Sequence, residues 1–207
     1  MNKTLLVSYT PRHESNTQKL IEAFLQANSE KSKITHLDLV KEPAPLLLED
    51  NLNAFLKRNY MGKDLTQEES NCLASGDRLL QQLQEADRIV IAFPMYNFSL
   101  PATVKAWVDA IIQNGKTFKI TDKGGYEGLC QGKQALILMT TGGDFSQEPA
   151  KSMNYATPLM QTCLGFMGIE SYAIVAYGLN QYMDRADEII EASKQEVVEY
   201  VENHKSW

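Results

Sequence analysis

Five short apolar runs, each separated from the next by a stretch with helical spacing, constrain this chain more than any other feature. They are "KTLLVSY" (3–9), "KITHLDLV" (33–40), "RIVIAFP" (88–94), "QALILMTTGG" (134–143) and "SYAIVAYG" (171–178). Strands joined by helix-length crossovers pair in parallel and need helices on both faces of the sheet. Right-handed crossovers then restrict the topology to a doubly wound α/β sheet. The run 33–40 alternates Ile34, His36 and Asp38 against Thr35, Leu37 and Leu39, so it is expected nearer an edge.

The intervening segments have apolar faces to match. The helix expected over 15–30 places Leu20, Ile21, Phe24 and Leu25 together, with Ser15 as its cap. Leu79, Leu80 and Leu83 mark a helix over 67–87. A helix over 101–115 would have Pro101 in its first turn and Gly115 at its end. Its Val104, Trp107, Val108, Ile111 and Ile112 look like more apolar surface than one sheet face needs, so part is expected to meet a second subunit. Residues 152–169 read as helical, with Pro158 starting or interrupting the helix. An amphipathic helix over 183–204 turns Ile189, Ile190, Val197, Val198 and Val201 inward. Two segments depart from the alternation. Residues 41–70 read as a surface excursion with a short helix around 51–60, and 116–133 as a hairpin-like insertion. One domain over 1–207 is expected.

Composition excludes several classes of function. Hydrophobic residues at 43% and charged residues at 22% are enough for a sizeable core. Lys+Arg 20 against Asp+Glu 26 gives a net charge of −6 without a basic block, which argues against nucleic acid and against anionic membranes. Cys72, Cys130 and Cys163, like His13, His36 and His204, are scattered without metal-ligand spacing, so no metal is expected. Reduced thiols, no signal-like N-terminus and no membrane-length apolar run point to a cytoplasmic protein.

In a doubly wound sheet, ligands bind beyond the carboxyl ends of the strands, at the switch point. Three exits are therefore informative. "SYTPRHESNT" (8–17) has neither Gly-x-x-x-x-Gly-Lys nor Gly-x-Gly-x-x-Gly. It offers the hydroxyls of Thr10, Ser15 and Thr17, the Asn16 amide and the Arg12 guanidinium, ahead of a helix N-terminus that favours an anion. "FPMYNFSLP" (93–101) sets Met95, Tyr96, Asn97 and Phe98 in a compact turn. "TTGGDF" (140–145) follows two hydroxyls with a Gly-Gly, which admits positive φ and close approach of a backbone to a flat ligand. Singly, these are a capped helix, a packing loop and a tight turn. Converging at one sheet edge, they combine phosphate, aromatic and close-backbone chemistry. That set suits a phosphorylated flat aromatic cofactor, FMN.

"PMYNF" (94–98), with "GFMGI" (165–169) after it and Ser-Asn-Thr at a helix start before it, resembles the FMN-dependent NADH:azoreductases, which also reduce quinones. The resemblance covers nearly the whole chain. It implies a flavodoxin-like fold, a homodimer, and FMN near the dimer interface. It implies that Ser15, Asn16 and Thr17 hold the phosphate, that Tyr9 stands where the family usually has serine, and that Met95, Tyr96, Asn97 and Phe98 line the ring. Thr140, Thr141, Gly142 and Gly143 would cover the polar rim, where family members often have Ser-Arg. Cys163 stands near where an aromatic often lines the substrate side, though a free cysteine is more often core.

The implied activity is transfer of two electrons from NADH to quinones and aromatic azo compounds by a ping-pong cycle, with the cofactor carrying the hydride chemistry. Backbone N–H groups of Tyr96 to Phe98, with the Asn97 amide, would stabilise negative charge on the reduced ring. No Ser-His-Asp set is present, and His13 reads as a solvated loop residue. A reductase for nitro compounds, a flavodoxin-type electron carrier and a flavin-free interaction module on the same fold remain open. The excursion and the insertion speak against the carrier.

Overall fold

The structure is a computed structural model describing residues 1–29 and 31–204. In chain order it contains β1 (Asn2–Ser8), α1 (Asn16–Ala27), β2 (Ser32–Asp38), α2 (Glu49–Asn59), α3 (Gln67–Glu85), β3 (Arg88–Pro94), α4 (Ala102–Ile111), β4 (Phe118–Ile120), β5 (Tyr126–Gly128), β6 (Gln134–Thr140), α5 (Ala156–Phe166), β7 (Glu170–Ala176) and α6 (Ala186–Asn203). Short 3₁₀ turns at Ala150–Met153 and Met183–Arg185 precede the last two helices. Glu30, the end of the helix expected over 15–30, lies outside the described residues.

The five apolar runs form one parallel sheet in the order β2-β1-β3-β6-β7. The chain winds one way from β1 to β2 and the other way from β3 onward, so the crevice opens between β1 and β3. β2 is an edge strand, in keeping with its alternating pattern. Period-2 alternation divides the core between the faces. Ile89, Ile91 and Phe93 of β3 face the layer of α3, α4 and α5, where Leu79, Leu83, Trp107, Met160 and Leu164 are buried. Val90 and Ala92 face α1 and α6, meeting Leu20, Ile21, Phe24, Val197 and Val201.

Three expectations change. α4 stops at Ile111 because side chains end it: Gln113 Nε2 donates to Ala110 O at 2.8 Å, and Thr117 Oγ1 to Ile111 O at 2.8 Å. Gly115, with φ +75°, turns the chain afterwards. Of the apolar side chains expected to meet a second subunit, Val104, Trp107, Val108 and Ile111 are each at most 1% exposed within this chain and so are spent on its own core, while Ile112 is half-buried. The segment 152–169 is a 3₁₀ turn followed by α5. Asn154 Oδ1 accepts from the amides of Ala156 (3.1 Å) and Thr157 (3.2 Å), and Pro158 sits in the first turn, where its missing N–H costs nothing.

The two departures from the alternation have structure of their own. α2 buries only Ala54 fully and is held to α3 by a bidentate Arg58–Asp77 pair at 2.6 and 2.8 Å. It leaves Leu46, Leu47, Leu48, Leu52, Leu56, Tyr60 and Met61 exposed along the excursion. The 116–133 insertion is a hairpin, β4 antiparallel to β5. It docks through Cys130 N to Met167 O at 2.8 Å and through an approach of Gly128 so close that a Cβ there would lie 2.3 Å from Gly168 N. Gly128→Ala must therefore push the hairpin off the α5–β7 turn. An overpacking cost of about 1–3 kcal/mol is expected, a fall in Tm of roughly 2–10 °C for a chain of this length. Amide exchange should quicken over 117–130 and stay slow in β3. Unchanged exchange across the hairpin would refute this account of its docking.

Candidate active site

The cleft at the β1/β3 switch point encloses about 160 Å³ and is built by four loops. The first leads from β1 into α1. Ser15 caps the helix, its Oγ accepting from Gln18 N at 3.4 Å. No acidic side chain occupies the first turn, so none there offsets the positive end of the helix. The amides of Asn16 and Thr17 find no acceptor among the described residues and border the cleft, and Arg12 lies beside them. Donors on one side with no acceptor of their own are what an anion such as a phosphate requires.

The second loop leaves β3 and adds Pro94, Met95 and Tyr96 to the wall. Tyr96 and Ser99 exchange backbone hydrogen bonds at 3.1 and 3.0 Å, closing a two-residue turn over Asn97 and Phe98. Both central residues take left-handed φ, +45° and +69°, as a tight I′ turn demands. Asn tolerates this, whereas Phe98 is strained. The bond from Tyr96 N to Ser99 O also corrects an expectation. The Tyr96 N–H is spent inside the turn, leaving those of Asn97 and Phe98 without a protein acceptor among the described residues. Desolvation pushes the Tyr96 hydroxyl above the usual tyrosine range, Tyr9 adds to this, and Arg12 opposes it.

The third loop leaves β6. Thr140 Oγ1 meets Thr17 Oγ1 at 2.7 Å in a buried bond between residues 123 apart, tying the start of α1 to the end of β6. Thr141 Oγ1 donates to Gly143 O at 2.6 Å. Neither Gly142 nor Gly143 has a left-handed φ, contrary to one reason offered for the Gly-Gly pair. The other reason is close approach to a flat ligand; what crowds Gly142 in the structure is the protein itself, since a Cβ there would lie 2.7 Å from Asn180 Nδ2.

That contact belongs to a fourth loop, at the exit of β7. Leu179 N bonds Thr141 O at 3.0 Å, the amides of Asn180 and Gln181 both reach Gly142 O at 2.9 Å, and Gly178 N reaches Gly143 O at 3.0 Å. Asp144 N donates to Gln181 Oε1 at 2.8 Å, completing the zipper. The Asp144 carboxylate is held below its usual range by the hydroxyl and amide of Ser146 and, less strongly, by Tyr182. The zipper puts Leu179 and Asn180 on the cleft wall.

Ser15, Asn16, Thr17, Met95, Tyr96, Thr140, Thr141 and Gly142 thus meet at one cleft. Tyr9, Asn97, Phe98 and Gly143 stand around it without lining it. Tyr9 supports Tyr96 edge-on at 6.0 Å, and Phe98 meets Phe145 edge-on at 6.0 Å. Leu179 and Asn180 are additions, and the rule that selected the other three exits points equally to "YGLNQ" after the last strand. The donor set fits FMN: acceptor-free amides and Arg12 for a phosphate, hydroxyls and an amide for a sugar-like chain, and Met95, Tyr96 and Leu179 for a flat ring.

Comparison with known proteins agrees with this geometry. A family model described as "Flavodoxin-like fold" matches residues 2–201. FMN-dependent NADH:quinone oxidoreductase 1 of Bacillus subtilis is 36% identical over 202 residues, spanning 95% of this chain and 96% of its own length. FMN-dependent NADH:quinone oxidoreductase 4 of Bacillus cereus is 37% identical with the same coverage. Among solved structures, an azoreductase from Bacillus anthracis superposes with a TM-score of 0.90 at 35% identity, covering 97% of this chain and 99% of that one. An FMN-dependent NADH-azoreductase from Bacillus anthracis, solved in complex with FMN, gives a TM-score of 0.87 at 25% identity, covering 98% and 99%. Matched along nearly its whole length in sequence and in fold, the chain belongs to the flavodoxin-like family of FMN-dependent NADH:quinone oxidoreductases and azoreductases.

Proposed function

We propose that this protein is an FMN-dependent oxidoreductase that passes two electrons from NADH to quinones and aromatic azo compounds in a ping-pong cycle. The observation that carries this reading is the cleft itself. An uncompensated helix N-terminus, a strained aromatic turn and a hydroxyl-lined β-exit share one opening at the switch point. FMN, when bound, would supply the hydride chemistry.

The chain's own residues bind and orient. The Asn16 and Thr17 amides, with Ser15 and Arg12, neutralise the phosphate. Met95 and Tyr96 form the apolar wall for the ring, and Thr140, Thr141, Gly142 and Gly143 border its polar edge. The Asn97 and Phe98 amides are available to hydrogen-bond a ring that gains negative charge. Tyr96 and Phe98, 41% and 46% exposed, offer rings against which a flat acceptor stacks. With its pKa raised, Tyr96 keeps its proton through the neutral range and acts there as a donor. The functional unit is one domain over 1–207, acting in the cytoplasm as a homodimer. The apolar side chains exposed along 46–61, with Ile120 and Tyr126 of the hairpin, supply the surface for the second copy.

Two experiments test this reading. Ser15→Asp keeps a good helix cap but sets a negative charge against the phosphate. FMN affinity should fall at least about a hundredfold while the far-UV spectrum is unchanged, and wild-type flavin content in the variant would remove Ser15 from the site. Initial rates against NADH at several quinone concentrations should give parallel double-reciprocal lines. Intersecting lines would mean that donor and acceptor occupy separate pockets together, and would overturn the ping-pong cycle.

A further inference from the structure

Phe98, which flanks the cleft, links it to another recess. A second groove of about 640 Å³ runs along residues 145–161, within the roughly 300–1,000 Å³ of small-molecule sites. Two contacts join it to the first. Tyr155 N donates to Phe98 O at 2.9 Å, and the Phe98 and Phe145 rings share an edge-to-face contact. The groove shares no lining residue with the cleft, and Phe98 is the bridge between them. The other large recess, about 560 Å³ beside Lys63 and Ser70, is lined by none of the four cleft loops.

The chemistry of the groove is mixed. Tyr155 is 60% exposed, a large ring offered to solvent. Lys151 is the one cation among the lining residues and makes no ion pair among the described residues. The nearby carboxylates are already engaged: Glu148 accepts from Ser152 N at 3.2 Å, and Asp144 from Ser146 N at 2.9 Å and from the Tyr182 hydroxyl at 3.3 Å. An exposed ring and an unpaired ammonium beside a redox cleft suit a ligand that has a heteroaromatic base and a diphosphate.

A dinucleotide donor brings such a ligand. Its nicotinamide must reach the reacting ring, and with the cofactor filling the cleft the remainder of the dinucleotide must lie outside it. We infer that the 145–161 groove holds the adenosine diphosphate half of NADH, with adenine against Tyr155 and the diphosphate against Lys151. This rests on the reading of the chain as an NADH-dependent enzyme and adds to it a donor subsite separate from the FMN cleft.

The test compares NADH with reduced nicotinamide mononucleotide, which lacks the adenylate, at a saturating quinone. In Tyr155→Ala and in Lys151→Glu, KM for NADH should rise about tenfold or more with kcat held, while KM for the truncated donor stays at the wild-type value. A side chain that merely supported the fold would affect both donors alike. Parallel changes with the two donors, or an unchanged KM for NADH in both variants, would overturn the inference and leave the oxidoreductase reading intact. A flavin-loaded wild-type enzyme inert toward both donors would overturn that reading, and this inference with it.

Discussion

A parallel sheet buried on both faces must have helices above and below it, and a chain that supplies them must reverse its winding once. In this protein the reversal falls between β1 and β3. The crossover helices leave in opposite directions there, so no backbone covers the carboxyl ends of the central strands. The cleft is thus a consequence of topology before any side chain is chosen. Side chains decide how firmly its walls hold together. The Thr17–Thr140 bond closes one side, joining α1 to β6 across the mouth. The backbone zipper between 141–144 and 178–181 closes another, making the exits of β6 and β7 one unit. A site assembled from four loops is held in this way by bonds between loops.

Backbone strain gathers where that assembly is tightest. The non-glycine residues with left-handed φ among those described are Glu14, Asn97 and Phe98, and all three flank the cleft. Glu14 immediately precedes the cap of α1, and its turn sets the direction in which the helix N-terminus points. Asn97 and Phe98 form the tip of the aromatic turn. Such conformations cost about 1–3 kcal/mol each and persist only where surroundings enforce them. Here the enforcement is visible in the paired Tyr96–Ser99 bonds and in the Tyr155 amide that fixes Phe98 O. In return, two adjacent amides at Asn97 and Phe98 are turned away from the chain's own acceptors, which an extended loop would not achieve.

Much of this was legible from residues alone. β3 spans the residues its apolar run marked, Ser15 caps α1, and the hairpin and the excursion fall where regular alternation failed. These are local signals: periodicity, a capping hydroxyl, clusters of turn residues. Nonlocal facts were less legible. The apolar face of α4 suggested a subunit contact because its count of large side chains could not be weighed against the volume that α3, α5 and the sheet leave to be filled, and Trp107 fills it completely. The end of α4 depends on Gln113 and Thr117 bonding back to its last carbonyls, contacts that no helix-termination rule anticipates. The Gly-Gly pair reads as room for a flat ligand, and the crowding of Gly142 by the protein itself was not legible. Asn180 lies 38 residues further along the chain.

The hydroxyls at the exit of β6 show how a site can keep its shape while its chemistry shifts. Thr140 and Thr141 occupy a corner where the resemblance implies that an arginine is common, and both hydroxyls are engaged within the protein, by Thr17 and by Gly143 O. They therefore stiffen the wall without contributing a charge. Positive potential at this cleft comes from the other side, from the N-terminal end of the α1 dipole and from Arg12. Such an asymmetry would draw the charged end of an anionic ligand toward α1 and leave its less charged end toward Tyr96. A corner that holds its form by the hydrogen bonds of its two threonines brings no charge to the cleft, so the donors without a protein acceptor among the described residues are the amides of Asn16 and Thr17 on one side and of Asn97 and Phe98 on the other.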